Sequence, residues 1–171
     1  MRDRTNDILN SPNLIIEGGR PLKGTVRVSG SKNCADYALA ACLLTDEEVI
    51  LENVPDIEDV RLMARILASL GAEVSPEGNG VWRLKADQVT RYDAPTDMAV
   101  NQRASFLVMG PLLARFGEAA CASPGGDVIG ARPLDVHLDG FKALGAKLSI
   151  DSGRFRVESD CLLYTSPSPR D

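Results

Sequence analysis

Apolar and polar residues alternate in two regimes along this chain, and the regimes recur in order. Val60, Met63, Leu67 and Leu70 fall on one face of a helical period. Asp56 stands where an N-cap is expected, and Gly71 where a helix ends. The period then shortens to two: "AEVS" and "VWRLKA" read as strands that pair across Pro76–Gly80. The same succession returns downstream. "LASLGAEVS" at Leu67–Ser75 matches "FKALGAKLS" at Phe141–Ser149, and the Leu-Gly-Ala steps begin at Leu70 and Leu144, 74 residues apart. In the second copy Pro133 suits the first helical position, Gly145 ends the helix, and "AKLSI" pairs with "RFRVE" across Asp151–Gly153.

A further helix lies upstream of each of these. "KNCADYALAACLL" follows "SGS", and "QRASFLVMGPLLARFG" follows "AVN". Each leads into a short strand, "EVILENV" in one copy and "EAACASP" in the other, and "GTVRVSG" forms an extended segment ahead of the first. The pattern predicts a βαβαββ unit present twice, at 29–86 and 98–159, with helices packed on small sheets in an α/β (α+β) domain.

Composition narrows the class. The chain of 171 residues is 44% hydrophobic and 25% charged, which suits one globular domain or part of a larger one. Its formal net charge is -5 and its aromatic fraction 5%, so neither the basic footprint nor the stacking platforms of a nucleic-acid binder are expected. An anionic ligand would have to be held by a few local cations. No apolar run is long enough for a membrane span, and the polar start "MRDRTNDILNSP" reads as a leader at 1–12 without a signal peptide; a cytoplasmic location is expected. The four cysteines form no C-x-x-C pair and there is one histidine, so no zinc site or other metal is expected. Cys34 and Cys42 read as buried core residues, and Cys121 as a packing residue or a reactive thiol.

Three cations stand at expected helix starts. Lys32 opens the first helix of unit one, and Arg103 opens the first helix of unit two, 71 residues later; Arg132 precedes another. The helix macrodipole disfavours a cation there. Each side chain could point to solvent, or could join backbone N–H groups in an anion site. Known nucleotide motifs do not account for them: Gly24–Lys32 fails the P-loop spacing, and Gly125, Gly126 and Gly130 do not spell a dinucleotide fingerprint. Asp127 sits in the glycine-rich loop "PGGDVIGARPLDVH" beside Arg132, as a solvated turn residue or as a carboxyl with a task. His137 reads as a surface or interhelix histidine, and neither a triad nor a nucleophile elbow is present.

Taken together, "SGSKN" (Ser29–Asn33), "NVPDIEDV" (Asn53–Val60), "RASFLVMGPLLARFG" (Arg103–Gly117) and "PGGDVIGARPLDVHLDG" (Pro124–Gly140) resemble the UDP-N-acetylglucosamine 1-carboxyvinyltransferases of the enolpyruvyl transferase family. The resemblance runs in one register from about Asn13 to Ser159. It implies an inside-out α/β barrel-type domain built from βαβαββ units, two of the family's six being present here. It implies transfer of the enolpyruvyl group of phosphoenolpyruvate to the 3′-hydroxyl of UDP-N-acetylglucosamine, the first committed step of peptidoglycan synthesis, with no cofactor. By motif match, Lys32 and Asn33 would contact phosphoenolpyruvate, Arg103 would contact the nucleotide sugar, and Arg132 would lie between the substrates. Arg132, Pro133, Leu134, Asp135 and Val136 would line the uridine-diphosphate site. Asp127 takes the general-acid position, where most relatives carry the cysteine that fosfomycin alkylates. An aspartate's reference pKa of about 3.9 is low for that role; a closed loop and substrate anions would raise it, and Arg132 would lower it.

Two alternatives belong beside this reading. A shikimate-3-phosphate enolpyruvyl transferase would carry serine after the lysine and an N-A-G-T-type stretch at the second helix, where Asn33 and "QRAS" stand. A non-catalytic paralogue would bind the nucleotide sugar only, and retention of Lys32, Asn33, Asp127 and Arg132 together speaks against it. The family's third unit and second domain have no counterpart in this chain, and the resemblance makes that second domain a partner the chemistry needs. The last stretch, "CLLYTSPSPRD" at Cys161–Asp171, matches nothing in the family and reads as a non-native tail.

Overall fold

The computed structural model describes residues 16–126 and 133–162. Their elements follow the predicted succession closely. Helix α1 (Lys32–Ala41) runs into a 3-10 turn at Cys42–Leu44 and then strand β1 (Val49–Leu51). Helix α2 (Glu58–Leu70) and the hairpin β2 (Glu73–Gly78) and β3 (Val81–Lys85) complete the first unit. A short helix α3 (Thr96–Ala99) and a 3-10 turn at Arg103–Val108 lead into α4 (Met109–Phe116) and β4 (Glu118–Ala122). Helix α5 (Asp135–Ala143) and the hairpin β5 (Lys147–Asp151) and β6 (Arg154–Glu158) follow.

Each unit folds its strands into a three-stranded antiparallel sheet of the same order, β1-β3-β2 and β4-β6-β5, so the last strand of each hairpin is central. Turn residues fix both hairpins: Asn79 and Gly80 take positive φ in one, Ser152 and Gly153 in the other. A single apolar cluster joins helices and sheets of both units, from Ala35 and Leu39 of α1 through Leu67 and Leu112 to Val157 of β6. The four residues predicted to share a face of α2 are all fully buried. Gly71 ends that helix at φ 109°, as expected.

Several expectations are corrected. "GTVRVSG" forms no strand; Val26 and Val28 are 86% and 82% exposed, so the leading strand of unit one is not made. In unit two a single parallel bridge, Asp93 with Ala120, stands in the leading position. Asp56 does not cap α2. Ile57 occupies the N-cap without a side-chain hydrogen bond, and Asp56 pairs with Arg61 instead. Arg103 opens a 3-10 turn, not an α-helix, and α5 starts two residues after Pro133. Cys34 is exposed, pointing away from the core that holds Cys42 and Cys121.

The segment joining the units is tied to both. The Thr90 and Arg91 N–H groups donate to the Leu70 carbonyl (3.1 and 3.3 Å), and the Ala94 N–H donates to Ala120 (2.9 Å). Arg115 of α4 points Nη1 at the carbonyls of Leu43, Thr45 and Ala86, at 3.1, 3.0 and 2.7 Å, stitching unit two onto unit one. Among the described residues no helix is long and apolar enough to cross a membrane.

Candidate active site

Three loops are brought together by backbone contacts that only glycine allows. A Cβ on Gly30, two residues before α1, would lie 1.9 Å from the Asn53 carbonyl oxygen. One on Gly125 would lie 1.6 Å from the Val100 carbonyl oxygen. The "SGSKN" stretch is thereby pressed onto the β1–α2 connection, and the start of the glycine-rich loop onto the end of α3. At Gly125 the glycine serves close approach; at Gly126, with φ 106°, it serves a left-handed turn.

Between these loops opens a pocket of about 260 Å³. It is lined by Lys32, Asn33, Asp36 and Tyr37 of α1, Asp59 of α2, Asn101 to Ala104, Phe106 and Leu107 around the 3-10 turn, Gly126, Leu134 and His137. The two unit-opening cations thus face one cavity. Ser31 caps α1, its hydroxyl accepting from the Cys34 N–H at 3.5 Å, which places Lys32 at the first helical position. Lys32 Nζ meets Asp59 Oδ2 at 2.5 Å, both side chains about half exposed. Arg103 Nη2 donates to the Pro133 carbonyl at 2.7 Å and so draws the chain ahead of α5 to the pocket edge.

Of the predicted site residues, Lys32, Asn33, Arg103 and Leu134 line this pocket. Pro133 contributes its carbonyl through Arg103. Asp135 and Val136 do not line it, and Val136 is 80% exposed. Asp127 and Arg132 lie outside the described residues, in the interval between pocket-lining Gly126 and Pro133.

The structure adds residues that spacing did not single out. Asp36, one turn beyond Lys32, is 3% exposed and accepts from Gln102 Nε2 at 3.2 Å. Burial pushes its carboxyl above the ordinary aspartate range; Lys32 pulls it back, Asp59 pushes further, and the Gln102 hydrogen bond pulls it down. His137 packs edge-on against Phe106, ring centroids 5.7 Å apart, at the pocket wall. A lone acid inside the apolar run "KNCADYALAACLL", four residues after Lys32, was the available signal for Asp36. Nothing in the sequence pairs Asp59 with Lys32 across 27 positions.

The pocket offers an anionic ligand the Lys32 and Arg103 cations and the side-chain amides of Asn33, Asn101 and Gln102, beside the carboxyl groups of Asp36 and Asp59. Comparison with known proteins gives the family. Residues 16–160 match the family model described as EPSP synthase (3-phosphoshikimate 1-carboxyvinyltransferase). The chain is 46% identical over 139 residues to UDP-N-acetylglucosamine 1-carboxyvinyltransferase 1 of Caldanaerobacter subterraneus. It is 49% identical, over the same length, to the enzyme named UDP-N-acetylglucosamine 1-carboxyvinyltransferase in Acidiphilium cryptum. These alignments take in 81% of this chain and 33% of each relative, so the chain spans about a third of the length of the curated relatives it matches. Among solved structures, the enolpyruvyl transferase NikO from Streptomyces tendae superposes with a TM-score of 0.73 at 26% identity, over 86% of this chain and 32% of that one. An EPSP synthase from Acinetobacter baumannii shares the fold, with a TM-score of 0.62 at 16% identity, over 86% of this chain and 34% of that one. On the match of most of its length and on these likenesses, the chain belongs to the EPSP synthase family of enolpyruvyl transferases.

Proposed function

We propose that this chain carries one wall of the active site that transfers the enolpyruvyl group of phosphoenolpyruvate to the 3′-hydroxyl of UDP-N-acetylglucosamine, the sugar nucleotide in its relatives' names. The observation that carries the reading is the pocket: Lys32, Asn33 and Arg103, contributed by equivalent places of two repeated units, line one cavity. Both substrates are anionic, and the chain's net charge of -5 gives them no general attraction. Local cations must therefore do the holding. Lys32 and Asn33 take the phosphoenolpyruvate, and Arg103 takes the nucleotide sugar. By the resemblance Arg132 joins this set, and the uridine diphosphate runs from Leu134 in the pocket out along the exposed Asp135 and Val136. The full repeat architecture of six βαβαββ units, a cytoplasmic location and a role in peptidoglycan synthesis go with this reading.

The sugar's 3′-oxygen bonds to C2 of phosphoenolpyruvate as its proton leaves to a base, and Asp127 delivers a proton to C3. Loss of a C3 proton and of phosphate from the tetrahedral intermediate restores the double bond on the sugar. Positioning two substrates is worth roughly 7–11 kcal/mol in well-oriented reactions, and most of that requires both walls of a cleft. The relatives are about two and a half times as long as this chain, and the other wall is assigned to the part of them it does not cover. The 171-residue chain alone is accordingly silent in turnover.

The test is phosphate release from both substrates, by this chain and by a chain extended to the length of its relatives. The extended enzyme is expected to turn over with UDP-N-acetylglucosamine and not with shikimate 3-phosphate. Asp127→Asn abolishes turnover and spares nucleotide-sugar binding, while Asp127→Cys stays active and gains sensitivity to fosfomycin. Undiminished turnover by Asp127→Asn would reduce Asp127 to a turn residue, and enzyme-like rates from the short chain would refute the need for a second wall.

A further inference from the structure

The floor of an anion pocket is an odd place for a buried carboxylate. Asp36 is 3% exposed and Gln102 5%, and they are joined by one hydrogen bond at 3.2 Å between α1 and the residue ahead of the 3-10 turn. The pair is a poor source of stability. Gln102 Oε1 is buried without a hydrogen-bond partner among the described residues. An unsatisfied buried acceptor costs about 1–3 kcal/mol, and two apolar side chains of similar size would fill the same space without that cost. What the pair does provide is geometry. Asp36 lies on the same face of α1 as Lys32, one turn on. Gln102 is covalently next to Arg103. The Asp36–Gln102 bond is therefore a strut between the two segments that present the pocket's cations. The line of contacts continues on both sides, to Asp59 through Lys32 and to the Pro133 carbonyl through Arg103.

We propose that Asp36 and Gln102 are positioning residues, whose hydrogen bond sets Arg103, which takes the nucleotide sugar, in its place relative to α1 and Lys32. The inference rests on the reading of the pocket as a site for that ligand. Neither residue needs to touch the ligand. The strut acts through the two cations, and its value is spent on affinity and not on folding.

The experiment is calorimetric titration of the 171-residue chain with UDP-N-acetylglucosamine, at a temperature well below melting, with melting temperatures recorded in parallel. Asp36→Leu and Gln102→Met each break the strut and are expected to weaken binding about tenfold, the size of one net hydrogen bond. Asp36→Asn keeps an acceptor for Gln102 Nε2 and restores affinity to within about twofold. The double variant Asp36→Leu/Gln102→Met removes both polar groups. Its melting temperature returns to or above that of the parent, while its affinity stays as low as either single variant, because one broken strut cannot be broken twice. Recovery of affinity together with stability in the double variant would overturn the inference, since the pair would then matter only for folding. So would equal affinity in all variants, with the pocket reading left standing. No binding by the parent chain would overturn the inference, and turnover by the extended enzyme would then decide the reading by itself.

Discussion

Asp36 makes a sharp test at the scale of one residue. Its carboxyl is held above the ordinary range, chiefly by burial. Folding therefore favours its protonated form: below the unfolded-state pKa of about 3.9 it costs nothing, and the cost appears as pH rises through the raised native value. Asp36→Asn is expected to raise the melting temperature at pH 7, with the gain vanishing toward pH 4; an equal gain at both pH values would show that the effect is not the charge. The cysteines offer a second test. Burial pushes the Cys42 and Cys121 thiols up to about 11, whereas Cys34 and Cys161 are exposed. Two thiols should react with Ellman's reagent in the native chain at pH 8 and four in denaturant, and rapid native labelling of Cys121 would contradict a packing role. At this scale the sequence was legible where chemistry had to break a local rule. Lys32 and Arg103 stood out because a cation at a helix start opposes the macrodipole. Asp36 did not, because one acid in a helix is ordinarily solvated, and the partner that meets it in its buried place, Gln102, comes from 66 positions away.

Among the elements, α2 and α5 occupy the same place in their units and have opposite fates. Six residues of α2 are buried and none of α5. The helical period predicts both, since each carries an apolar stripe, but the depth of burial is decided by what lies across from it. For α2 that is α1, packed against it; α5 rests only partly on the core, through Leu138 and Phe141. Leu67→Ala should cost about 2–5 kcal/mol in chemical denaturation. Val136→Ala, at a position 80% exposed, should fall within about 0.5 kcal/mol of the parent. A large loss at Val136 would mean that α5 is covered in solution. Helix starts were the least legible feature. Asp56 was a sound N-cap candidate by residue type, yet Arg61 engages it five residues on, and α2 begins without it. The single helix expected from Gln102 to Gly117 divides into a 3-10 turn and α4, and Ser105 marks the tight turn by bonding the carbonyls of Ala99 and Gln102 (2.9 and 2.6 Å).

For the whole molecule, the succession of helices and hairpins was the most legible feature, because apolar periods and turn residues agree on it. The sheet orders, identical in the two units, follow from the same succession of elements. The leading strand was not legible in the same way. "GTVRVSG" alternates as a strand should, but alternation reports only a face that could be buried, and here Val26 and Val28 meet no partner among the described residues.

The segment between the units carries a kinetic consequence. It is hydrogen-bonded at one end to the last turn of α2, through Leu70, and at the other to β4, through Ala120. A Cβ on Gly71 would strike the Gln88 carbonyl oxygen at 2.3 Å, so the segment also lies tight on the helix end. It cannot serve as a joint about which the units separate while each stays folded. Amide exchange should reveal this: the Thr90, Ala94 and Ala120 N–H groups open with one free energy, equal within about 1 kcal/mol to that of global unfolding and equally sensitive to denaturant. Sub-global opening at Thr90 alone would show two foldons where the hydrogen bonds describe one, and a nascent chain would then be able to finish its first unit before the second had left the ribosome.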